Sequence, residues 1–198
     1  MNDLVSQWYD EGRLVPAPPI VKHHILRQYA QRFDLHTLVE TGTLHGDTIA
    51  ALQNDFHTLY SIELSDILYK DVCERFKDTP HIMLVFGDSS KCLPDVMAKL
   101  TEPALFWLDG HFSHGDPDAE LHNIAKGEKE FPLAEELHIV LSHHIPGHII
   151  LADDARYLGI SDCPTFIEIQ NIVEQHKPGW RVECVDDIVR IYDDKGYL

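Results

Sequence analysis

Val39-Glu40-Thr41-Gly42-Thr43-Leu44-His45-Gly46-Asp47-Thr48 carries an apolar run into an acid, through two glycines and on into a helical pattern. Glycine stands where backbone must turn tightly or approach another group closely, so the stretch reads as a strand-to-helix turn of nucleotide-binding type. Four more apolar runs also end in a carboxylate: Leu59 to Ile62 before Glu63, Ile82 to Phe86 before Gly87-Asp88, Ala104 to Leu108 before Asp109, and Ile149 to Ala152 before Asp153. Helical patterns separate them, from Asp47, over Ser65 to about Lys77, near Ser90 to Leu100, from about Pro132 to His143, and over Thr165 to Gln175. Such alternation predicts an α/β fold with a parallel sheet and crossover helices. Parallel strands put their carboxyl ends on one edge, where open α/β sheets bind ligands. The acidic rim selects a cationic ligand, a polyhydroxylated one or a metal ion.

Outward from this repeat, Pro16, Pro18 and Pro19 divide an N-terminal arm from a helix of about residues 20–33, whose Ile20, Ile25, Tyr29 and Phe33 recur at helical spacing. Trp180 to Val185 and Ile188 to Tyr192, around Asp186-Asp187, predict a closing β-hairpin. The organisation read from this is an arm and helix over 1–34 and a Rossmann-like domain over 35–198. The polar stretch from Gly110 to Glu130 is long for a structureless connection, which marks it as a segment that binds or covers something.

The chain has 198 residues and 44% hydrophobic content, enough for one well-buried core. Sixteen Lys and Arg against 33 Asp and Glu give a net charge of −17, which opposes contact with phosphate backbones and anionic membranes. Neither nucleic acid nor a membrane is an expected partner, while self-association stays open. Met1 to Val5 has no basic segment leading into an apolar one, so a cytoplasmic protein is expected. Cys73, Cys92, Cys163 and Cys184 lack metal or redox spacing and read as reduced thiols. Fourteen histidines make chance pairings common, so each is judged by position.

The first turn lacks the G-x-G-x-x-G dinucleotide fingerprint, because Leu44 follows Thr43, and there is no G-x-x-x-x-G-K-[ST] loop. NAD and ATP both lose support. An acid before the turn repels phosphate but attracts an ammonium group, directly or through water. Glu63, 21 positions after Gly42, is placed to accept hydrogen bonds from both hydroxyls of a ribose. Asp88 and Ser89 offer an acceptor and a hydroxyl to an adenine edge. The competing reading makes these residues solvated strand ends and ordinary turn glycines. Together the three ends suit S-adenosylmethionine (SAM), a phosphate-free nucleoside carrying amino-acid and sulfonium charges.

On these residues the chain resembles the class I SAM-dependent methyltransferases from Leu35 to Tyr192. The E-x-G-x-x-x-G turn of Glu40, Gly42 and Gly46 is similar to that family's first motif, Glu63 to its ribose-binding acid, and Asp88 to the acid that meets adenine. The resemblance implies a single-domain, Rossmann-like, seven-stranded, mostly parallel sheet with helices on both faces and a C-terminal antiparallel hairpin. It also implies a cofactor site formed by Glu40, Gly42, Thr43, Gly46, Asp47, Thr48, Glu63, Asp88 and Ser89.

Phe106-Trp107-Leu108-Asp109-Gly110-His111 and Ile150-Leu151-Ala152-Asp153-Asp154-Ala155-Arg156 place three carboxylates at neighbouring strand exits. Hard divalent cations favour such oxygen clusters, and coordination would help ionise a hydroxyl for attack on the methyl group. The pattern is similar to the metal-dependent sugar O-methyltransferases of the macrocin type, which implies Asp109, Asp153 and Asp154 as ligands of Mg2+ or another divalent cation. That group has an acid where this chain has His111. A closer resemblance is to small methyltransferase-like proteins with a W-L-D-G-H segment, a G-x-K-x-x-P-[IL]-x-E-E-L stretch and a D-D-A-R segment. Here these are Trp107 to His111, Gly127 to Leu137, and Asp153 to Arg156.

His111 is the candidate general base, with Asp109 as its catalytic partner; equally, His111 could only orient Asp109 or the loop. His114 is a weaker base candidate, and Lys129 reads either as an anchor for an anionic group or as a solvated loop lysine. Asp153 and Asp154 could instead cap the next segment and pair with Arg156. His138, His143, His144 and His148 read as solvated or helix-end residues. The leading expectation is methyl transfer to a hydroxyl of a small molecule, with possible metal assistance. One alternative is a metal-dependent hydrolase built on Asp109, His111, His114, Asp116, Asp118 and His122; another is a non-catalytic nucleoside-binding module.

Overall fold

A computed structural model describes residues 3–112 and 124–194. Among these residues, seven strands form one sheet: β1 (Thr37–Thr41), β2 (Thr58–Glu63), β3 (Ile82–Phe86), β4 (Ala104–Leu108), β5 (Ile149–Ala152), β6 (Arg181–Val185) and β7 (Ile188–Tyr192). Their order is β3-β2-β1-β4-β5-β7-β6. The first five are parallel, and β7 runs antiparallel to both β5 and β6. Strand order reverses between β1 and β4, so a crevice opens outside their carboxyl ends.

Among the described residues, seven α-helices cover the sheet: α1 (Asp3–Asp10), α2 (Pro19–Phe33), α3 (Asp47–Leu52), α4 (Asp66–Arg75), α5 (Ser89–Met97), α6 (Leu133–Leu141) and α7 (Phe166–His176). Alternate strand residues point to opposite faces. Leu38, Leu59, Leu105, Trp107 and Leu151 therefore share one core with α1 to α4, including Trp8, Ile25, Leu52 and Val72. Val39, Phe106, Leu108, Ile150 and Ile191 build the other with α5 to α7, including Leu93, Leu137 and Val173. Burial on both faces explains why these strands read as unbroken apolar runs rather than alternating ones.

Local chemistry sets the helix starts. The Ser65 hydroxyl accepts from Leu68 N, Asp88 accepts from Ser90 N, and Thr165 forms a capping box with Glu168. Each satisfies backbone donors that a helix leaves open at its start. The hairpin closes on Asp186 and Asp187 with φ of 59° and 65°, the left-handed pair that a two-residue turn needs to match strand twist.

Two elements differ from the sequence reading. β1 extends through Glu40 to Thr41, so Glu40 lies inside the strand and not beyond it. The arm before Pro16 contains α1, which buries Val5 and Trp8. Among the described residues, no helix is long and apolar enough to cross a membrane.

Candidate active site

A cavity of about 410 Å³ lies along the carboxyl edge, lined by Gly42, Leu44, Glu63, Asp88, Ser89, Asp109, His111 and Asp154 from the strand ends. Its size falls within the range of small-molecule sites. Ile124, Ala125, Gly127 and Lys129 of the long connection line one side, and Pro16, Ala17, Pro19 and Lys22 of the N-terminal segment another. Of the sequence candidates, Gly42, Glu63, Asp88, Ser89, Asp109, His111 and Asp154 thus share one cavity, whereas Glu40, Thr43, Gly46, Asp47, Thr48 and Asp153 do not line it.

Glu63 ends β2 with its carboxylate held by backbone. Leu44 N donates to Oε2 at 2.8 Å and Ser65 N to Oε1 at 2.7 Å. Burial raises the Glu63 pKa, while these N–H groups oppose the rise. Leu64 N is a third backbone donor, and the carboxylate keeps acceptor capacity on its cavity side. Asp88 uses Oδ1 on Ser90 N and Ser90 Oγ, at 3.0 and 2.6 Å, and Ser89 is buried beside it.

Glu40, expected to attract an ammonium group directly or through water, sits behind the turn. It is 2% exposed and does not line the cavity. Ser61 Oγ donates to its Oε2 at 2.5 Å and accepts in turn from Thr43 Oγ1 at 2.6 Å, and Thr48 is a further hydrogen-bond partner. Burial pushes the Glu40 carboxyl up to about 8 against these hydrogen bonds. Thr43 and Thr48 therefore serve the turn from behind. Asp47 is exposed and paired with Arg75 at 2.8 Å, away from the cavity.

The two glycines of the turn answer to protein packing. A Cβ on Gly42 would lie 2.4 Å from the Asp109 carbonyl oxygen, and one on Gly46 would lie 2.7 Å from the Phe76 ring. Both have φ near +80°, at 81° and 76°. Gly42 thus lets the end of β4 press against the first turn, which brings Asp109 into the same cavity as Glu63 and Asp88.

His111 bridges two acids. Its Nε2 lies 3.1 Å from Asp154 Oδ2 and its Nδ1 lies 3.5 Å from Asp109 Oδ1. The ring stacks on Phe131 with centroids 5.3 Å apart and planes 6° from parallel. Asp154 has φ of 58°, an uncommon conformation that persists only where its surroundings enforce it. The enforcement is visible: Arg156 Nη1 donates to Asp154 Oδ1 at 2.6 Å and also to Asp187 of the hairpin turn, and Asp187 accepts from Ala155 N and Arg156 N. Burial acts upward on Asp154, but the His111 hydrogen bond and the charges of Lys22, His111 and Arg156 take it down to about 2.

Sequence reasoning missed two charged residues. Lys22 of α2 donates to Asp153 Oδ2 and lies 3.6 Å from Asp154 Oδ1. Glu136 of α6 is buried beneath Gly110 with Ser89 and Thr41 as partners, and burial pushes it up to about 7. Burial raises Asp153 to about 6 against the Lys22 charge; burial and the Asp153 charge raise Asp109 well above the carboxylate range.

Among the described residues, Asp109, His111 and Asp154 converge within 4.8 Å and could hold a cation. Asp153 stands outside that group. A magnesium ion demands near-octahedral oxygen ligands at about 2.0–2.1 Å, and the arrangement fits it poorly because one of the three groups is an imidazole, Arg156 occupies Asp154 Oδ1, and the Lys22 ammonium lies 3.6 Å from that same oxygen. His114, Asp116, Asp118 and His122 lie outside the described residues. Lys129 lines the cavity and pairs with Glu135.

No family model matches the chain, and no curated protein matches it. Solved structures match over almost the whole length. An S-adenosylhomocysteine (SAH)-bound methyltransferase of Podospora anserina is 15% identical, with 98% of this chain and 89% of that one covered and a TM-score of 0.59. An O-methyltransferase of Bacillus cereus in complex with SAH is 14% identical over 96% and 89%, with a TM-score of 0.60. An O-methyltransferase of Streptomyces achromogenes involved in tomaymycin synthesis, in complex with SAM, is 16% identical over 96% and 89%, with a TM-score of 0.57. Likeness at this identity establishes the fold: the chain has the seven-stranded Rossmann-like fold of these methyltransferases.

Proposed function

We propose that the protein is a SAM-dependent methyltransferase that transfers a methyl group to a hydroxyl of a small molecule. The observation that carries this reading is the single cavity that joins Glu63 and Asp88 to Asp109 and His111. Glu63 receives the ribose hydroxyls, Asp88 and Ser89 meet the adenine edge, and the Gly42 turn passes beneath the amino-acid end. Glu40, with Thr43, Gly46, Asp47 and Thr48, shapes that turn from outside the cavity. The fold shared with SAM- and SAH-bound O-methyltransferases supports the donor.

The transfer forms an oxygen–carbon bond as the methyl carbon leaves sulfur, and the sulfonium becomes a neutral thioether. Its barrier falls chiefly through holding oxygen, carbon and sulfur in line, an effect worth several kcal/mol. The hydroxyl proton goes to His111. Asp154 holds Nε2 at hydrogen-bond distance, which assigns the ring proton there, while Nδ1 at 3.5 Å from Asp109 is too far for a good hydrogen bond. Nδ1 is therefore the nitrogen that accepts, and the ionised Asp154 stabilises the imidazolium that forms.

Calorimetric titration with SAH tests the donor half, and absence of binding at millimolar concentration would sink the reading. His111→Ala is expected to keep SAH affinity and lower turnover by about 10²- to 10⁴-fold. The convergence of Asp109, His111 and Asp154 also supports a second reading, a metal-dependent hydrolase. Metal-dependent ester hydrolysis by a chain that ignores SAH would favour it.

A further inference from the structure

The acids at the ends of β4 and β5 have their partners supplied by the chain itself. Asp153 has a fully buried side chain. Its Oδ1 accepts from Asp154 N at 2.8 Å and its Oδ2 accepts from Lys22 Nζ. Asp154 uses Oδ2 on His111 and Oδ1 on Arg156. All four oxygens of the two carboxylates thus face a protein donor. A divalent ion entering between them would have to displace the Lys22 ammonium, which lies against Asp153 and 3.6 Å from Asp154.

Lys22 is built into this position. It belongs to a helix whose Val21, Ile25, Leu26 and Tyr29 are packed into the core, so its stem is fixed at the cavity wall, and the side chain is only 20% exposed. The ammonium has three N–H donors. Asp153 takes one and the separation from Asp154 exceeds hydrogen-bond length. Donors remain for a bound ligand in the same cavity that holds His111 and Asp109.

We propose that Lys22 is the resident cation of this site, standing between Asp153 and Asp154 in place of a divalent metal ion. Resting on the methyltransferase reading for its chemistry, it supplies a fixed positive charge beside the acceptor oxygen, where negative charge develops during transfer. Preorganised charge in a water-poor site is effective there because it needs no rearrangement as the reaction proceeds. Methyl transfer then proceeds without added metal.

The test uses Mn2+ alone as the probe, followed by electron paramagnetic resonance on the full chain, with SAH calorimetry in parallel. The wild-type chain is expected to bind Mn2+ no more tightly than millimolar. Lys22→Ala and Lys22→Met, the latter retaining an apolar stem, are expected to bind it at least tenfold more tightly, and Asp153→Ala in either background should abolish the gain. A wild-type chain that binds one Mn2+ at micromolar concentration and loses it on Asp154→Ala would overturn the proposal. So would folded Lys22 variants that gain no affinity. Should both variants fail to fold, the wild-type titration decides by itself. Failure of wild-type SAH binding would count against methyl transfer, while the Mn2+ result would still judge the place of Lys22.

Discussion

Leu44 holds φ at 51°, an arrangement that costs a non-glycine residue about 1–2 kcal/mol. Its amide reaches Glu63 at 2.8 Å from that conformation, and its side chain, 42% exposed, lines the cavity. Leu44→Asn, a residue that tolerates the left-handed region, should raise stability by up to about 1 kcal/mol in thermal melts. The same change removes apolar cover and should weaken SAH several-fold in calorimetry. Glu63→Gln should lower SAH affinity by roughly ten- to a hundredfold, since hydrogen bonds to charged groups contribute about 1.5–3 kcal/mol. Gly42→Ala has no room against the Asp109 carbonyl, so chemical denaturation should show a loss of about 2–4 kcal/mol. An unchanged midpoint would mean that the β4 end yields at little cost.

Among elements, the closing hairpin has the most leverage on the acidic cluster. Asp187 accepts from Arg156 and its backbone holds Ala155, so the turn fixes the segment that keeps Asp154 in its left-handed conformation. Asp187→Gly preserves the turn's positive φ, which isolates the side-chain contacts, and denaturation curves should show a loss of about 1–3 kcal/mol. The strands and most helices were legible because burial on both faces leaves apolar runs, and because Ser65, Asp88 and Thr165 mark helix starts in plain chemistry. Lys22 and Glu136 were not read, since their partners are brought together by the sheet and no local spacing announces them. One signal was present. Lys22 precedes Ile25 and Leu26 by three and four positions, and Glu136 follows Leu133 by three and precedes Val140 by four. Each charge therefore sits on the apolar stripe of its helix, where an unpaired charge is seldom found. Asp47 shows the converse, because a residue adjacent in sequence to a turn that lines the cavity can still face solvent.

For the molecule as a whole, stability should depend on pH through buried groups with opposite signs. His148 lies at 3% exposure, its Nδ1 accepting from Ala104 N at 3.0 Å and its Nε2 paired with His143 at 2.8 Å. Burial, aided by His143, Lys177 and His144, takes its pKa down to about 4. Its contribution is complete above the ordinary value near 6.5 and is lost as pH falls through about 4, at most about 3 kcal/mol by linkage. Glu40, pushed up to about 8, contributes fully below its ordinary value near 4.5 and loses that contribution as pH rises through 8. Melting temperature should therefore fall from pH 7 to pH 5 less steeply in His148→Asn than in the wild-type chain; equal slopes would remove His148 from the account. The hairpin has one further effect, on timing. Arg13 pairs with Asp186 at 3.1 Å, and Asp187 anchors the loop that Lys22 faces. During synthesis at about 5–20 residues per second, the arm and α2 leave the ribosome on the order of ten to thirty seconds before that turn exists. Over that interval the lysine and its acids have no common frame, so a nascent chain stalled before Asp186 should expose the N-terminal arm to proteases that the finished chain resists.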